Sequence, residues 1–213
     1  MSTSSEKYDA DYFERGLETG KSLYQNYRWL PDLTIPMAHH ISAHMGLRPG
    51  DEVLDYGCSK GFLVKALRLI GIHAYGCDIS SYAIKNADPD IKQYCLRMTD
   101  SVDTIPFTRH WDALICKDVL EHMTEAELEY FIHQSKMARR ALHVVPLGDG
   151  ERYVIPEYEG DTTHIIRKPE IWWIDQFEGA GWRLKTFAFK LTGIKDNWTS
   201  KYPRGNGFFL LER

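Results

Sequence analysis

Val53-Leu54-Asp55-Tyr56-Gly57-Cys58-Ser59-Lys60-Gly61 reads as a buried strand that breaks into a glycine turn. Glu52–Tyr56 is short and apolar, and Phe62–Ile70, directly after the turn, carries its apolar residues at helical spacing. Gly57 and Gly61 permit a tight turn and let a ligand approach the backbone. A second strand, His73–Cys77, follows and is closed by Asp78. An acid about 20 residues beyond such a turn can accept both hydroxyls of a ribose. Any one of these features is common. Strand, glycine turn, helix, strand and acid in that order form a nucleoside-cofactor signature.

The alternation continues outward from this unit. Ser80 is placed to cap a short helix after the second strand. Ile91–Leu96 reads as a third strand, Ala113–Cys116 as a fourth, Glu125–Met137 as a charged amphipathic helix, and Ala141–Val145 as a fifth strand closed by Pro146. An irregular stretch, 147–168, comes next, rich in Gly, Asp and Pro. Pro169 opens a helix that runs to about Glu178 and ends at Gly179-Ala180-Gly181. Arg183–Phe189 and Gly207–Leu211 are the last two strands. Ahead of the unit, residues 1–45 are rich in Tyr and Trp and contain a helical stretch, Met37–Met45. Alternating strands and helices predict an α/β fold with a mostly parallel sheet and helices on both faces. Ligands of such sheets bind at the carboxyl ends of the strands. No repeat or linker divides residues 1–213, so one domain is expected.

Composition narrows the partners. The formal charge of −4 lacks the basic surplus of a nucleic-acid binder, so no nucleic acid is expected. No run approaches the roughly 20 apolar residues that span a bilayer, so no membrane partner is expected. Met1 to Lys7 is polar and does not read as a signal peptide. Cys58, Cys77, Cys95 and Cys116 form no CxxC pair, which fits reduced thiols in a cytoplasmic protein.

The choice of cofactor turns on Asp55. A dinucleotide loop holds a pyrophosphate, which an acid at its mouth repels, and position 59 is Ser where GxGxxG would need Gly. S-adenosylmethionine carries a sulfonium and an ammonium and no phosphate, so an aspartate suits it. Val53–Gly61 resembles motif I of the class I S-adenosylmethionine-dependent methyltransferases, and Tyr75-Gly76-Cys77-Asp78-Ile79-Ser80 resembles their second motif. Trp111–Met123, with its Asp118-Val119-Leu120-Glu121-His122 run, resembles their fourth-strand segment. The resemblance covers about residues 50 to 145 and implies a Rossmann-like seven-stranded sheet with a last antiparallel strand. By the same resemblance, Asp55, Gly57, Cys58 and Gly61 line the methionine part of the cofactor and Asp78 holds the ribose. Ile79 lies against the adenine, Asp100 accepts from the adenine amino group, and Lys117 faces the cofactor's centre. Ser59 and Lys60 depart from the usual motif, and the sequence assigns Lys60 no partner.

Methyl transfer to a hydroxyl needs alignment of the nucleophile and a group that takes its proton. Position separates the histidines. His143 lies inside a strand, His133 on a helix face, His73 at the wrong edge and His110 in a loop before a strand. His122 follows the fourth strand and His164 lies in Asp161-Thr162-Thr163-His164, so these two are the candidate bases. Tyr8, Tyr12, Tyr24 and Arg28 are candidate substrate-binding residues. Residues 1–45 are expected either as a cap over the site or as packing outside the sheet. Arg15, Arg152 and Arg167 are further anion-binding candidates. His40 and His44 share a helix face, but Ile41 stands where HExxH needs Glu, so no metal is expected. Trp172 and Trp173 cannot both face inward. The acceptor expected is a small-molecule hydroxyl, by family likeness a sugar of a surface polysaccharide. Transfer to nitrogen in an amine or protein, a non-catalytic cofactor-binding module and a dehydrogenase are the competing readings. The Asn-Pro-Pro-Tyr type of run used on nucleic-acid amino groups is absent; Cys116-Lys117-Asp118 stands there instead.

Overall fold

The structure is a computed structural model that describes residues 4–99 and 105–213. Its centre is a seven-stranded sheet of order β3-β2-β1-β4-β5-β7-β6. The strands are β1 Glu52–Tyr56, β2 His73–Asp78, β3 Cys95–Arg97, β4 Ala113–Lys117, β5 Arg140–Pro146, β6 Arg183–Ala188 and β7 Asn206–Glu212. β1 to β5 are parallel to their neighbours, and β7 runs antiparallel between β5 and β6. The helices are α1 Ala10–Glu14, α2 Gly16–Thr19, α3 Pro31–Met45, α4 Phe62–Leu69, α5 Ser81–Lys85, α6 Glu125–Ser135, α7 Glu170–Gly179 and α8 Asp196–Lys201.

Alternation along the central strands builds two cores. Val53, Ala113, Ile115, Leu142 and Val144 point to one face, where α3 and α4 supply Ile41, Val64 and Leu67. Leu54, Leu114, Cys116 and Ala141 point to the other, where α6 and α7 supply Phe131, Trp173 and Phe177. Both faces are covered, so the central strands read as apolar runs. Trp173 is fully buried, and burial of such a ring is worth about 2–3 kcal/mol. Trp172 stays half-buried beside it, with the Lys168 ammonium 5.5 Å from its ring.

Two expected elements differ. The third strand is only Cys95–Arg97, because Lys92–Tyr94 forms a 3-10 turn and only three residues pair with β2. Ile91 turns inward instead, where a Cβ on Gly61 would stand 2.5 Å from its Cδ1. The helix expected from Met37 begins at Pro31, which fills the first turn where no amide is needed. Ser80 caps α5 by accepting from the Ala83 amide, and Thr124 with Glu127 forms a capping box on α6. Among the described residues, no helix is long and apolar enough to cross a membrane.

Strand order reverses between β1 and β4, so their carboxyl ends open a crevice. Tyr56-Gly57 and Lys117-Asp118 stand at its two sides.

Candidate functional site

A cavity of about 210 Å³ occupies that crevice. Gly57, Ser59, Asp78 and Ile79 line it from the β1 and β2 ends, and Asp118, Val119 and His122 from beyond β4. Tyr8, Tyr12, Phe13 and Tyr24 close it from the N-terminal segment, and Ile165 from the stretch after β5.

The glycine loop is held by its own backbone. The amides of Gly57 and Cys58 donate to the Cys77 carbonyl at 2.8 and 3.1 Å. Gly57 has φ +78°, and a Cβ there would meet Val119 Cγ2 at 2.3 Å, so both conformation and the neighbour require glycine. Ser59 sits at φ +52°, a left-handed conformation that costs a serine about 1 kcal/mol. Its amide donates to Asp78 Oδ2 at 2.8 Å, and the Ser80 amide donates to Oδ1 at 2.7 Å. Burial raises the Asp78 carboxyl pKa, and these two amides work against the rise.

Lys60, the unplaced charge of the motif, ties the N-terminal segment to this loop. Its Nζ donates to Glu14 Oε1 at 2.5 Å and to the Tyr27 carbonyl at 2.8 Å. Tyr82 donates to the same Glu14 oxygen at 3.1 Å. Ser80 Oγ donates to the Tyr8 carbonyl at 2.6 Å, and Tyr12 Oη donates to Asp161 Oδ2 at 2.8 Å. The N-terminal segment thus bridges the end of β2 and the stretch after β5.

The opposite wall is a histidine pair. His122 and His164 have ring centroids 4.6 Å apart. Nδ1 of His164 is 2.9 Å from the Tyr158 carbonyl, which can only accept, so Nδ1 carries the proton and Nε2 the lone pair. Thr163 Oγ1 donates to Asp161 Oδ1 at 2.6 Å and therefore accepts from His122 Nδ1 at 2.8 Å. Nε2 of His122 again holds the lone pair. Burial, then the neighbouring His164, lowers the His122 pKa to about 4, and burial lowers that of His164. Glu121 is 1% exposed beside them, and burial, then Asp118, pushes its carboxyl pKa well up. Its backbone carbonyl accepts from the amides of Ile165 and Ile166 at 2.9 and 3.0 Å, which fixes the two segments together. Asp118, at φ +57°, stands between Lys117 and Lys195, each 2.5 Å from one of its oxygens. These cations hold its carboxyl well below the usual range despite burial.

Of the residues singled out from sequence, Gly57, Asp78, Ile79, His122, Tyr8, Tyr12 and Tyr24 meet at the cavity. Asp55, Cys58, Gly61, Lys117 and His164 stand outside its lining. Asp55 is buried in β1, and burial raises its carboxyl pKa to about 7 against the pull of Lys117. Cys58 packs into the core against Gly76, and Gly61 lets Ile91 and Cys95 approach. Lys117 is committed to Asp118. His164 is 8% exposed, one layer behind His122. Asp100 lies outside the described residues. Arg28 is exposed and donates to the Asn26 carbonyl, away from the cavity. Arg15 and Arg167 are paired with Asp11 and Glu159. His143 is a packed ring between Phe131 and Phe177. Glu121 and Lys195 were not singled out from sequence. Glu121 was visible beside His122, but its burial depends on residues 165–166. Nothing local marks Lys195.

Fold and site define a class of protein that comparison with known proteins narrows. Several solved structures share the fold. A SAM-dependent methyltransferase from Archaeoglobus fulgidus is 16% identical, with TM-score 0.66 over 86% of this chain and 95% of that one. Magnesium protoporphyrin IX methyltransferase from Synechocystis, with bound SAH, is 17% identical, with TM-score 0.66 over 98% and 97%. A TehB-like SAM-dependent methyltransferase from Corynebacterium glutamicum is 16% identical, with TM-score 0.62 over 98% and 97%. No curated protein matches the chain at a significant level. Residues 53–141 match the family model described as a methyltransferase domain. The matched segment runs from β1 into β5, and the solved structures share the fold around it.

Proposed function

We propose that this chain transfers a methyl group from S-adenosylmethionine to a hydroxyl of a small molecule, with a sugar of a surface-polysaccharide precursor as the candidate acceptor. The observation that carries this reading is that one cavity is lined both by the glycine loop with Asp78 and by His122 with its tyrosine wall. When bound, S-adenosylmethionine supplies a methyl group activated by its sulfonium.

The residues present fit that cofactor. Each Asp78 oxygen accepts one backbone amide and keeps a lone pair, which suits the two hydroxyls of a ribose. Ile79 lines the cavity beside it and offers an apolar surface to the adenine. Gly57 allows the backbone to lie against the methionine part, and Asp55 supplies negative charge behind the loop. Residues 1–45 act as the cap and 147–168 as the acceptor-side wall of a single domain. Tyr8, Tyr12 and Tyr24 exclude water and bind the acceptor. His122 faces the acceptor hydroxyl from the cavity wall, with His164 and Thr163 orienting its ring.

Incubating the full chain with S-adenosylmethionine and a panel of sugars, phenols and amines tests this. S-adenosylhomocysteine and the methyl ether of the acceptor are expected as products with hydroxyl acceptors. Turnover with amines alone overturns the oxygen assignment, and cofactor binding without turnover on any acceptor favours a binding module.

A further inference from the structure

The wall formed by Glu121, His122 and His164 has more ligating capacity than a proton acceptor needs. Each of these residues offers one donor atom, and the three atoms lie within 4.8 Å of one another. Nε2 of His164 is 3.9 Å from Glu121 Oε1. Donors around an ion with bonds of roughly 2.0–2.2 Å stand about 3–4 Å apart, so a closure of about 1 Å suffices. We propose that Glu121, His122 and His164 bind one divalent transition-metal ion, of the zinc, cobalt or manganese kind, through the Glu121 carboxylate and Nε2 of both histidines.

Two independent features of the structure, and the network that supports the first, point to this ligand. First, both imidazoles are turned the way a ligand must be. Nδ1 of His164 is anchored on the Tyr158 carbonyl and Nδ1 of His122 on Thr163 Oγ1, so both rings keep Nε2 as a lone pair. A ligating histidine is held in this manner by a carbonyl or hydroxyl on its other nitrogen. Second, Glu121 Oε2 is buried and has no hydrogen-bond partner among the described residues. A buried carboxyl left unpaired is costly, and a cation is the partner that removes the cost. The anchoring network behind the rings continues outward. Thr163 is itself fixed on Asp161, whose second oxygen accepts from Tyr12.

The neighbouring charges leave room for the ion. Asp118 occupies both Lys117 and Lys195, so these two ammonium groups are already paired. Two imidazoles with one carboxylate favour a transition metal over magnesium or calcium, which prefer oxygen donors. Three protein donors leave coordination positions open, and His122 lines the cavity, so those positions can face an acceptor oxygen. Such an ion would orient that oxygen and make its proton easier to lose. This last role rests on the methyl-transfer reading; ion binding does not.

The test uses the full chain, freed of metal by chelator and dialysis. Zinc is titrated by calorimetry, and cobalt by its visible absorption. One ion per chain is expected. Glu121→Gln and His164→Gln are each expected to weaken binding at least about tenfold, and Thr163→Val about 10–100-fold. Circular dichroism checks folding, and Thr163→Val, which removes no ligand, keeps the test open if a ligand variant misfolds. His40→Ala and His44→Ala, on α3, are expected to leave binding unchanged. Absence of stoichiometric binding overturns the site, as does binding lost in the α3 variants and retained in Glu121→Gln. S-adenosylhomocysteine is titrated in parallel into the metal-free chain. Its failure to bind contradicts the methyl-transfer reading while leaving the ion site standing, and the reverse result does the opposite.

Discussion

The two walls of the cavity are built on different rules. On the glycine-loop side the carboxylate and the loop amides are partnered: both Asp78 oxygens accept backbone amides, and the loop amides of Gly57 and Cys58 reach the Cys77 carbonyl, with only the small Ser59 hydroxyl left over among the described residues of the loop. On the histidine side the network is complete only on its outer edge. Tyr158, Thr163 and Asp161 fix the rings, while Glu121 Oε2 stays buried without a hydrogen-bond partner among the described residues. A satisfied wall is rigid and can hold a constant group. A wall with ligating atoms left over is where chemistry on a second group can occur.

That difference is open to direct attack, and the largest effect is expected on the histidine side. His122→Ala removes the cavity-lining group that the proposed function places against the acceptor and leaves the loop untouched. Turnover is expected to fall about 100- to 1,000-fold, with the cofactor Kd changed less than about threefold. Rate measurement alongside calorimetry checks this, and equal loss in both quantities would erase the distinction between the walls. Asp78→Ala reverses the pattern. It removes a charged acceptor and unties the Ser59 and Ser80 amides, so cofactor affinity is expected to fall about 100-fold.

Lys60→Met breaks the link between the loop and the N-terminal segment. Lys60 is 11% exposed at its side chain and Glu14 29%, so the loss of stability is expected to be about 1–2 kcal/mol, read by urea unfolding. The cluster around Phe13 and Tyr27 is then expected to loosen before the sheet does, as measured by hydrogen exchange over residues 10–27.

The smallest expected effect is a pH dependence set by Asp55. Burial holds its carboxyl at about 7 in the folded chain, above the ordinary 3.8. A raised carboxyl pKa means that the folded state binds the extra proton. Its contribution to stability is therefore full below the unfolded value, declines as pH rises from about 4 to 7, and is level above that. A cationic cofactor favours the ionised form, and Asp55 stands behind the cavity lining, so affinity is expected to rise about two- to threefold between pH 5 and 7 and then flatten. Asp55→Asn is expected to remove the slope. A wild-type profile flat from pH 5 to pH 8 would count against any role for this charge.

The same contrast explains what could be read from the residues in order. The loop was legible because its shape lies in local backbone geometry: Gly57, Gly61 and Asp78 declare themselves by spacing within one strand-turn-helix-strand unit. Ser59 looked anomalous until its φ of +52° showed that it takes the conformation glycine would have taken. Lys60 had no local partner because Glu14 lies 46 residues earlier. The histidine wall is assembled from segments 41 residues apart, so His122 and His164 could be selected by position, but their mutual orientation through Thr163 could not. Arg28 illustrates the opposite failure. A cation near aromatic residues suggested a substrate contact, yet the turn at Asn26, φ +50°, carries it to the surface. The third strand failed in the same way: Ile91 is apolar because it fills space under Gly61, not because it pairs in the sheet.

The most direct test is a crystal structure of the full chain with S-adenosylhomocysteine. The ribose hydroxyls are expected within about 3 Å of the Asp78 carboxylate, and the sulfur is expected to face His122 with only room for a methyl group and an acceptor oxygen between them. A ligand bound elsewhere, or bound in this cavity with its ribose away from Asp78 and its sulfur away from His122, would contradict the assignment of the two walls.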